Sequence, residues 1–368
     1  MAEQTAYIPV DLMHRFMVDV FHKMGVPRQE AEIIAEILIT SDLRGIESHG
    51  VGRLRMYYDR IKQGRILAQT KLTIVKETET TAVLDGGFGM GHVVAHRAME
   101  MALDKAKAFG MGAVAVRNST HFGIAGYYPL MAIKRDMIGL TVTNARPSIA
   151  PTFGVEPMLG TNPIAFGCPT DEACPFLFDG ATSITQRGKI EVLDRAEKPT
   201  PAGWIIDQEG KSVTDSAAIL EGLTKSTNAL LPLGGFGDHM GGHKGYGLAT
   251  VVELLSAALQ DGQYLRAITG FDENGKPTFL GVGHFFLAMD IEHFVPVATF
   301  KRVAGNILRD LRGSVKAPGH DRIYTANEKE WEMEKVVRAQ GIPANANLQK
   351  DVAYVRADLG LTNYEFPF

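Results

Sequence analysis

Hydrophobic residues recur at helical spacing through the first 65 residues of the chain. Asp11 stands before the first run, where a carboxylate can serve as an N-cap, and Gly25 ends that run. Residues 28–45 and about 51–63 repeat the pattern. The apolar positions of the first run are Leu12, Phe16, Val20 and Met24. This periodicity predicts three amphipathic helices that each bury one face.

From residue 72 the pattern changes to short β-branched runs that alternate with helical segments. These runs are LTIV, TAVLD, GAVAV and IGLTVTN. Such alternation predicts an α/β domain. A later apolar run, residues 284–296, predicts a buried strand, and residues 328–343 and 346–360 predict two closing helices.

The segment GGFGMG, residues 86–91, lies between a predicted strand and a predicted helix, where a dinucleotide-binding loop would stand. Its spacing is G-x-G-x-G, whereas the Rossmann fingerprint is G-x-G-x-x-G. An acidic residue also comes too early, at Asp85. The segment therefore argues against a Rossmann fold.

Composition narrows the class of protein. The 368 residues are 45% hydrophobic and 22% charged, which is the balance of a globular protein. A net charge of -4 argues against nucleic acid as a partner. The start of the chain lacks a signal-peptide pattern and no apolar run reaches roughly 18 residues, so we expect a cytoplasmic protein without a membrane span. Cys168 and Cys174 match neither a disulfide framework nor a zinc motif.

The segment with the densest chemistry is SDLRGIESHGVGRLR, residues 41–55. It brings Ser48, His49 and Arg53 into one junction between two predicted helices. If a helix begins near Gly50, His49 stands at its N-terminal edge and Arg53 about one turn further on, so both can face one small anion. A carboxylate fits, because a guanidinium fork matches its two oxygens.

A second histidine, His121, follows a predicted strand in the segment NSTHFGIAGYYPLMA. Functional residues of α/β sheets gather at the carboxyl ends of strands, which is where this histidine stands. A lone histidine is more often a structural residue, and that alternative stays open for His121.

Polar residues in the middle of the chain offer groups to a nucleotide. Asn144, Thr161 and Asn162 lie in a long Pro- and Gly-rich stretch, where capping of turns is the alternative role. A predicted strand then leads into Asp179, and the small residues of the next turn leave backbone N–H groups open to a phosphate. Those residues are Ala181, Thr182 and Ser183.

Seven glycines between residues 234 and 247 precede a long apolar helix, with Lys244 at its start. Open amides, a helix N-terminus and one positive charge have the physics of a pyrophosphate cradle, although the spacing is not that of a Walker loop. Two histidine pairs have the i, i+4 spacing of zinc ligands, but neither includes the glutamate of an HExxH motif. They are His92 with His96 and His239 with His243.

Four motifs together resemble one family, the type 2 malate/L-lactate dehydrogenases, which also include ureidoglycolate, sulfolactate and diketogulonate oxidoreductases. The motifs are SHGVGRL, NSTHFGIAGYY, GTNPIAFG and GGHKGYGL. The resemblance implies a non-Rossmann nucleotide-binding α/β domain, residues 71–309, and a helical domain formed by residues 1–70 plus 310–368. It also implies a homodimer.

The resemblance assigns roles to the candidate residues. It implies that His49 and His121 are acid/base groups and that Arg53, beside Ser48, faces the substrate carboxylate. It implies nucleotide contacts from several residues that the motifs contain. These residues are Asn144, Ala181, Thr182, Ser183, His243, Lys244, Gly319 and His320. For Gly319 and His320, ordinary surface-turn chemistry is an equally good interpretation of the residues alone.

The expected function is interconversion of a 2-hydroxy acid and a 2-keto acid with NAD, with NADP as the alternative cofactor. Malate and oxaloacetate are the foremost substrate pair, and lactate, ureidoglycolate and sulfolactate are alternatives. Histidine suits the proton transfer because its ordinary pKa is about 6.5, and His49, beside Arg53, ranks slightly ahead of His121. A metal-dependent hydrolase and a non-catalytic nucleotide-binding protein are hypotheses of other classes.

Overall fold

The computed structural model describes residues 5–368, and its first helices follow the apolar pattern. A short strand comes first, and two single 3-10 turns, residues 47–49 and 51–53, separate the second helix from the third. The elements are β1 (Ala6–Ile8), α1 (Val10–Lys23), α2 (Arg28–Leu43) and α3 (Leu54–Lys62). The predicted N-cap role of Asp11 is wrong, because α1 begins after Pro9 and Asp11 lies inside its first turn.

The middle of the chain alternates strands and helices as predicted. Its elements are β2 (Thr73–Glu77), β3 (Thr81–Asp85), α4 (Gly91–Phe109), β4 (Met111–Ser119), α5 (Tyr127–Ile133), β5 (Met137–Thr143), β6 (Ile164–Cys168) and β7 (Phe176–Gly180). Next come α6 (Arg187–Arg195), β8 (Ile205–Ile206), α7 (Ser216–Lys225), β9 (Ala229–Leu230) and α8 (Gly242–Ala257).

The chain closes with one long strand, three helices and a short strand. They are β10 (Val282–Asp290), α9 (Val297–Gly313), α10 (Glu328–Gln340), β11 (Ile342–Ala344) and α11 (Ala346–Asp358). The strand predicted to reach residue 296 ends at Asp290. The Asp290 carboxylate accepts the Glu292 N–H at 3.1 Å, and this bond starts a 3-10 turn instead of another strand residue.

Seven strands form one mixed sheet in the order β2-β3-β4-β10-β5-β6-β7. Neighbours β3 and β4 run parallel, and every other neighbouring pair in this sheet is antiparallel. Strand β10 lies at the centre although it is the last of the seven in sequence. Because β10 is antiparallel to both neighbours, its first residues lie at the same edge as the carboxyl ends of β4 and β5.

Helices cover both faces of the sheet. Side chains of α4 and α5 pack with Phe286 of β10 in one buried cluster. The other face is held by α8, which approaches so closely that a Cβ on Gly283 would lie 1.7 Å from the Ser256 carbonyl oxygen. Residues 283 and 286 are an odd number apart and so point to opposite faces of the strand. The sheet is therefore the central layer of three.

The two ends of the chain share a second core. Strand β1 pairs with β11 in antiparallel register, with Ala6 opposite Ala344. Apolar side chains of α1, α2 and α3 form one buried cluster with those of α10 and α11. Among residues 5–368, no helix has the length and apolar character needed to cross a membrane.

Candidate functional site

A buried carboxyl group stabilises the loop that contains His49. Asp42, near the end of α2, accepts the Val51 N–H at 2.7 Å. Gly50 lies against it, and a Cβ there would be 2.0 Å from the Asp42 carboxyl oxygen, so no larger residue fits. Burial raises the pKa of Asp42 to about 8, while the Val51 N–H opposes the shift. Asp42 therefore anchors the loop, a role that its place in the predicted helix of residues 28–45 did not reveal.

The same loop brings Ser48, His49 and Arg53 together as predicted. The Ser48 hydroxyl is 2.8 Å from Nδ1 of His49, and Nε of Arg53 donates to the Ser48 carbonyl at 2.5 Å. The expected helix start near Gly50 is wrong, because residues 51–53 form a 3-10 turn and Arg53 is the residue before α3. Within residues 5–368, Arg53 has no carboxylate partner.

His121 follows β4 and is held by a tyrosine of α3, to which the sequence alone assigned no role. The Tyr57 hydroxyl is 2.5 Å from Nδ1 of His121, and the Gly123 N–H is 3.4 Å from the same nitrogen. The Tyr57 oxygen can donate to a bare Nδ1 or accept from a protonated one, so it holds the ring in either state. The position of Tyr57, four residues after Arg53, was the available signal.

The two predicted histidines lie against each other. Their rings stack with centroids 5.5 Å apart and an interplanar angle of 25°. Both imidazoles are half-buried, so solvent still reaches them. Burial, and then the charge of Arg53, lower the pKa of His49 to about 4. Burial also holds the pKa of His121 well below its usual value, with smaller contributions from neighbours that include His49 and Arg53.

The histidines considered as zinc ligands have other surroundings. His92 is fully buried and meets the Tyr57 ring edge-on at 4.8 Å, and burial lowers its pKa to about 3. His96 lies 3.7 Å from the Glu100 carboxylate, and His239 is almost fully exposed. In the described part of the chain, no three or more His, Cys, Asp or Glu side chains are arranged to hold a metal ion.

A second cluster joins the residues expected to contact a nucleotide. The Thr182 N–H and hydroxyl both donate to the Thr161 carbonyl, at 2.9 and 3.1 Å. The Leu233 N–H donates to the Thr182 carbonyl at 2.7 Å, so the 181–183 turn runs beside the start of the glycine-rich segment. The Ser183 hydroxyl donates to Thr185 and is buried. Sequence positions 161, 182 and 233 thus form one structural unit.

A buried glutamate ties α8 to this unit. Glu253 accepts the Asn162 amide at 2.8 Å, the Asn144 amide at 3.3 Å and the Leu265 N–H at 2.9 Å. Asn144 also accepts the Gly283 N–H at 2.8 Å. The side chains of Asn144 and Asn162 are thus engaged by protein partners, and their contact with a cofactor stays a prediction.

The N-terminus of α8 has the features of an anion site. His243 and Lys244 lie in its first turn, are exposed and have no ion pair within residues 5–368. The helix has no side-chain cap. A Cβ on Gly242 would lie 2.1 Å from the Gly235 carbonyl oxygen, so glycine is needed to fold the loop back on the helix. Free N–H groups, a helix dipole and a lysine fit a pyrophosphate.

Other predicted cofactor residues are placed differently. The Asp179 carboxylate accepts the Gly126 N–H at 2.7 Å and so holds the segment that follows His121. Gly319 and His320 lie in an exposed turn, and no hydrogen bond within residues 5–368 joins that turn to the 161–183 unit or to the glycine-rich segment. Ala181 is half-buried beside Thr182. Cofactor contacts from these residues stay predictions.

The stacked histidines and the residues expected to contact a nucleotide lie at the same edge of the sheet. Phe122 stacks on His284 at 4.5 Å, and Nδ1 of His284 lies 2.8 Å from the Thr143 hydroxyl. Thr143 precedes Asn144, and Phe122 follows His121. The chemistry-bearing residues after β4 and after β5 are therefore separated only by the start of β10.

Comparisons with known proteins find similar chains over almost the whole length. A family model described as malate/L-lactate dehydrogenase matches residues 8–353. The chain is 42% identical to a malate dehydrogenase of Pyrococcus horikoshii, over 96% of each chain. It is 39% identical to an L-sulfolactate dehydrogenase of Methanocaldococcus jannaschii, over 94% of this chain and 95% of that one. The crystal structure of malate dehydrogenase from Entamoeba histolytica is similar with a TM-score of 0.94 and 44% identity, covering 99% of this chain and 100% of that one.

Proposed function

Since the chain belongs to the malate/L-lactate dehydrogenase family and is a nicotinamide-dependent 2-hydroxy acid dehydrogenase, we propose that it interconverts malate and oxaloacetate. The observation that carries the proposal is the stacked pair of His49 and His121 beside Arg53. Names of the relatives support a hydroxy acid with a second anionic group, because both malate and sulfolactate have one.

We assign the proton transfer to His121. Tyr57 holds Nδ1, so the ring is oriented and Nε2 can face the substrate oxygen. In reduction the doubly protonated ring gives its Nε2 proton to that oxygen, and in oxidation Nε2 takes the proton back while Nδ1 keeps its own proton and donates to the Tyr57 oxygen. The sequence favoured His49 slightly, but the hydrogen-bond partner of its Nδ1 is the hydroxyl of Ser48, the preceding residue of the same loop. In this proposal His49 lies over the His121 ring and contributes to proton transfer from there, and Arg53 binds the carboxylate with a guanidinium fork.

We propose that the nicotinamide dinucleotide lies along the edge where β4, β5 and β10 meet. The α8 N-terminus with His243 and Lys244 would hold its pyrophosphate, beside the 181–183 turn. When bound, the dinucleotide supplies or accepts the hydride. NAD is the proposed cofactor and NADP the alternative, because His243 and Lys244 bind phosphates that both share.

We propose two domains in the arrangement implied by the resemblance. The mixed, largely antiparallel sheet supports a non-Rossmann nucleotide-binding domain, and the shared core of α1, α2, α3, α10 and α11 supports a helical domain of N- and C-terminal segments. The boundary at residue 310 falls inside α9, so we place it after Gly313. A cytoplasmic location stays a prediction from the sequence.

We propose a homodimer on the basis of two exposed apolar helix faces. On α8, Val251 and Leu254 are 50% and 57% exposed, and on α9, Ile307 and Leu311 are each 55% exposed. Spacings of three and four residues place each pair on one side of its helix. Contiguous apolar faces of this kind mark protein interfaces. Light scattering of the purified protein, compared with Ile307→Glu and Leu311→Glu variants, measures the mass directly.

The enzymatic proposal is tested by following reduced-nicotinamide absorbance with a panel of acids. Oxaloacetate, pyruvate and 3-sulfopyruvate are supplied with NADH and, separately, with NADPH, and malate, lactate and ureidoglycolate are supplied with NAD and NADP. The highest kcat/KM is expected with oxaloacetate and NADH. Absence of turnover with every acid, or turnover abolished by a chelator, would contradict the proposal.

A further inference from the structure

Two arginines flank the tyrosine that holds His121. Arg53, Tyr57 and Arg60 stand at positions i, i+4 and i+7 along the segment that forms α3, which places their side chains in one row. Tyr57, in the middle, is hydrogen-bonded to Nδ1 of His121. The proposed substrate carboxylate lies at the Arg53 end of this row. A second cation, Arg60, therefore lies on the other side of Tyr57 from Arg53.

Arg60 forms no ion pair with the residues that the structure describes. It is half-buried, and within residues 5–368 its guanidinium has no hydrogen bond or ion pair. Burial lowers the pKa of Arg60, and the charges of Arg65, Arg53 and Arg146 lower it further, although Tyr57 opposes the shift. The guanidinium of Arg65 donates to the carbonyl oxygens of Gly270 and Thr278 and lies over the Phe271 ring. Among residues 5–368, no carboxylate forms an ion pair with Arg53, Arg60 or Arg65.

Another arginine of α3, Arg55, is paired with a carboxylate, as partly buried arginines usually are. Nε of Arg55 donates to both carboxylate oxygens of Asp59, at 2.9 and 3.0 Å, and its guanidinium lies 3.7 Å from the centre of the Tyr354 ring. A half-buried cation without a counter-ion costs free energy, since desolvation is not compensated. An anionic ligand would compensate it at Arg60.

We propose that Arg60 binds the second anionic group of the substrate, so that the enzyme selects 2-keto acids with a distal carboxylate or sulfonate. The inference rests on the proposed function and assigns the specificity of that same site to one residue. Arg53 would bind the carboxylate beside the keto group, and Arg60 the distal group. Each guanidinium then gains the anion that the protein does not supply.

The spacing agrees with a short diacid. Seven residues span about 10 Å along a helix axis. The terminal carbons of a four-carbon diacid are about 4 Å apart, since each carbon–carbon bond is about 1.5 Å. With one charge-assisted hydrogen bond of about 2.8 Å at each end, the diacid and its two bonds span nearly the same distance as the helix does between positions 53 and 60. The reacting carbon would then lie beside the acid group next to Arg53, within reach of His121.

The test compares dianionic and monoanionic keto acids on the parent enzyme and on Arg60→Gln. With oxaloacetate and with 3-sulfopyruvate, kcat/KM is expected to fall about 10²–10³-fold, mainly through KM, because the distal anion loses its partner. With pyruvate, kcat/KM should change less than about threefold. Comparison of the losses with oxaloacetate and with 3-sulfopyruvate shows whether carboxylate and sulfonate use the same group. Equal losses with pyruvate and the dianions would overturn the assignment.

Two further variants separate this role from general effects. Lys62→Gln removes a positive charge from the same helix, but Lys62 contacts Asp358 at 3.1 Å on another side, so all three acids should keep parental kinetics. Arg53→Lys should lower kcat/KM for all three. If Arg60→Gln does not fold, Arg60→Lys keeps the charge and should lose about tenfold with the dianions alone, since a point charge replaces the fork.

The outcome also distinguishes this inference from the proposed function. If the parent enzyme reduces no keto acid, the proposed function is wrong. If the parent enzyme reduces pyruvate as efficiently as oxaloacetate, the proposed reaction is supported but the proposed role of Arg60 is wrong.

Discussion

The hydroxyl of Tyr57 lies 2.5 Å from Nδ1 of His121 and is hydrogen-bonded to it. Tyr57 is fully buried, and burial raises the pKa of its hydroxyl, so the proton stays on the tyrosine at working pH. The bond orients the ring of His121. Tyr57 is thus a positioning residue for the proposed acid/base group.

Tyr57→Phe should lower kcat about 10- to 100-fold, because Nδ1 of His121 loses the hydrogen-bond partner that orients the ring. The KM for the dinucleotide should stay near the parental value. A changed pH profile of kcat is the readout that a merely structural role would not give. Tyr58→Phe is the matched control, since Tyr58 is also buried on α3 but donates to Asp358. Equal effects of the two variants would contradict the positioning role.

Replacement of either histidine of the stacked pair should affect turnover more than cofactor binding. His121→Asn is expected to lower kcat about 10²–10⁴-fold and to remove one limb of the pH profile. His49→Asn should cost less if it only assists, and each variant should bind dinucleotide normally by calorimetry. His14→Asn, on α1, controls for the loss of an imidazole. Parental turnover in both site variants would place the proton transfer elsewhere.

The order of elements was predictable from the sequence, but the sheet was not. Apolar periodicity identified α1, α2 and α10, because local spacing determines which face of a helix is buried. The central position of β10 depends on pairing with β4, about 170 residues earlier, and no local pattern encodes such a pairing. Strand direction was equally hidden, so alternation of strands and helices could not reveal the antiparallel neighbours.

The candidate residues of the site could be identified from the sequence, but the residues that support them could not. His49, His121 and Arg53 were identified because their motifs are polar where loops are usually neutral. Asp42 and Tyr57 lie on faces that also look like helix core, and their roles appear only when Asp42 meets Val51 and Tyr57 meets His121. Tyr57 and His121 are far apart in sequence, and Asp42 binds a backbone N–H, so neither contact leaves a pattern of residue types in the sequence.

Glu253 provides a stability prediction. Its carboxylate accepts from Asn162, Asn144 and the Leu265 N–H, so Glu253→Gln would place an amide donor against these donors. A loss of about 2–4 kcal/mol in the free energy of unfolding is expected by urea denaturation. Glu191→Gln, which removes an exposed ion pair to Arg187, should cost less than about 0.5 kcal/mol. Similar losses would show that the buried network is not strongly stabilising.

Lys244 allows the proposed dinucleotide site to be tested separately from the substrate site. Lys244→Ala removes the charge in the first turn of α8 and should weaken NADH binding about 10-fold or more. Binding of oxalate, a keto-acid analogue, should be unaffected at saturating NADH. Lys225→Ala, at the end of α7, is the control because it removes an exposed lysine from another helix. Unchanged NADH affinity by calorimetry in Lys244→Ala would exclude this lysine from the site.

The low pKa values of the histidine pair predict different pH dependences for the two reaction directions. With its pKa lowered to about 4, His49 is neutral in the free enzyme at pH 7, and His121 is shifted in the same direction. Oxidation of the hydroxy acid needs a neutral base, so its kcat/KM should be nearly constant with respect to these groups above about pH 5. Reduction of the keto acid needs the proton, and its kcat/KM should fall up to tenfold per unit as pH rises above the histidine pKa.

Binding of a substrate anion should reverse part of this shift. Burial is the main cause of the low pKa of both histidines and the charge of Arg53 adds to it, so a carboxylate at Arg53 should raise both pKa values in part and the complex should take up a fraction of a proton near pH 5. Calorimetric titration of oxalate into the enzyme–NADH complex, repeated in buffers of different ionisation enthalpy, measures that uptake. Arg53→Gln should abolish it together with tight binding, whereas His121→Asn should reduce it and still bind the anion. No buffer dependence in the parent enzyme would show that the histidines do not gain a proton with the substrate.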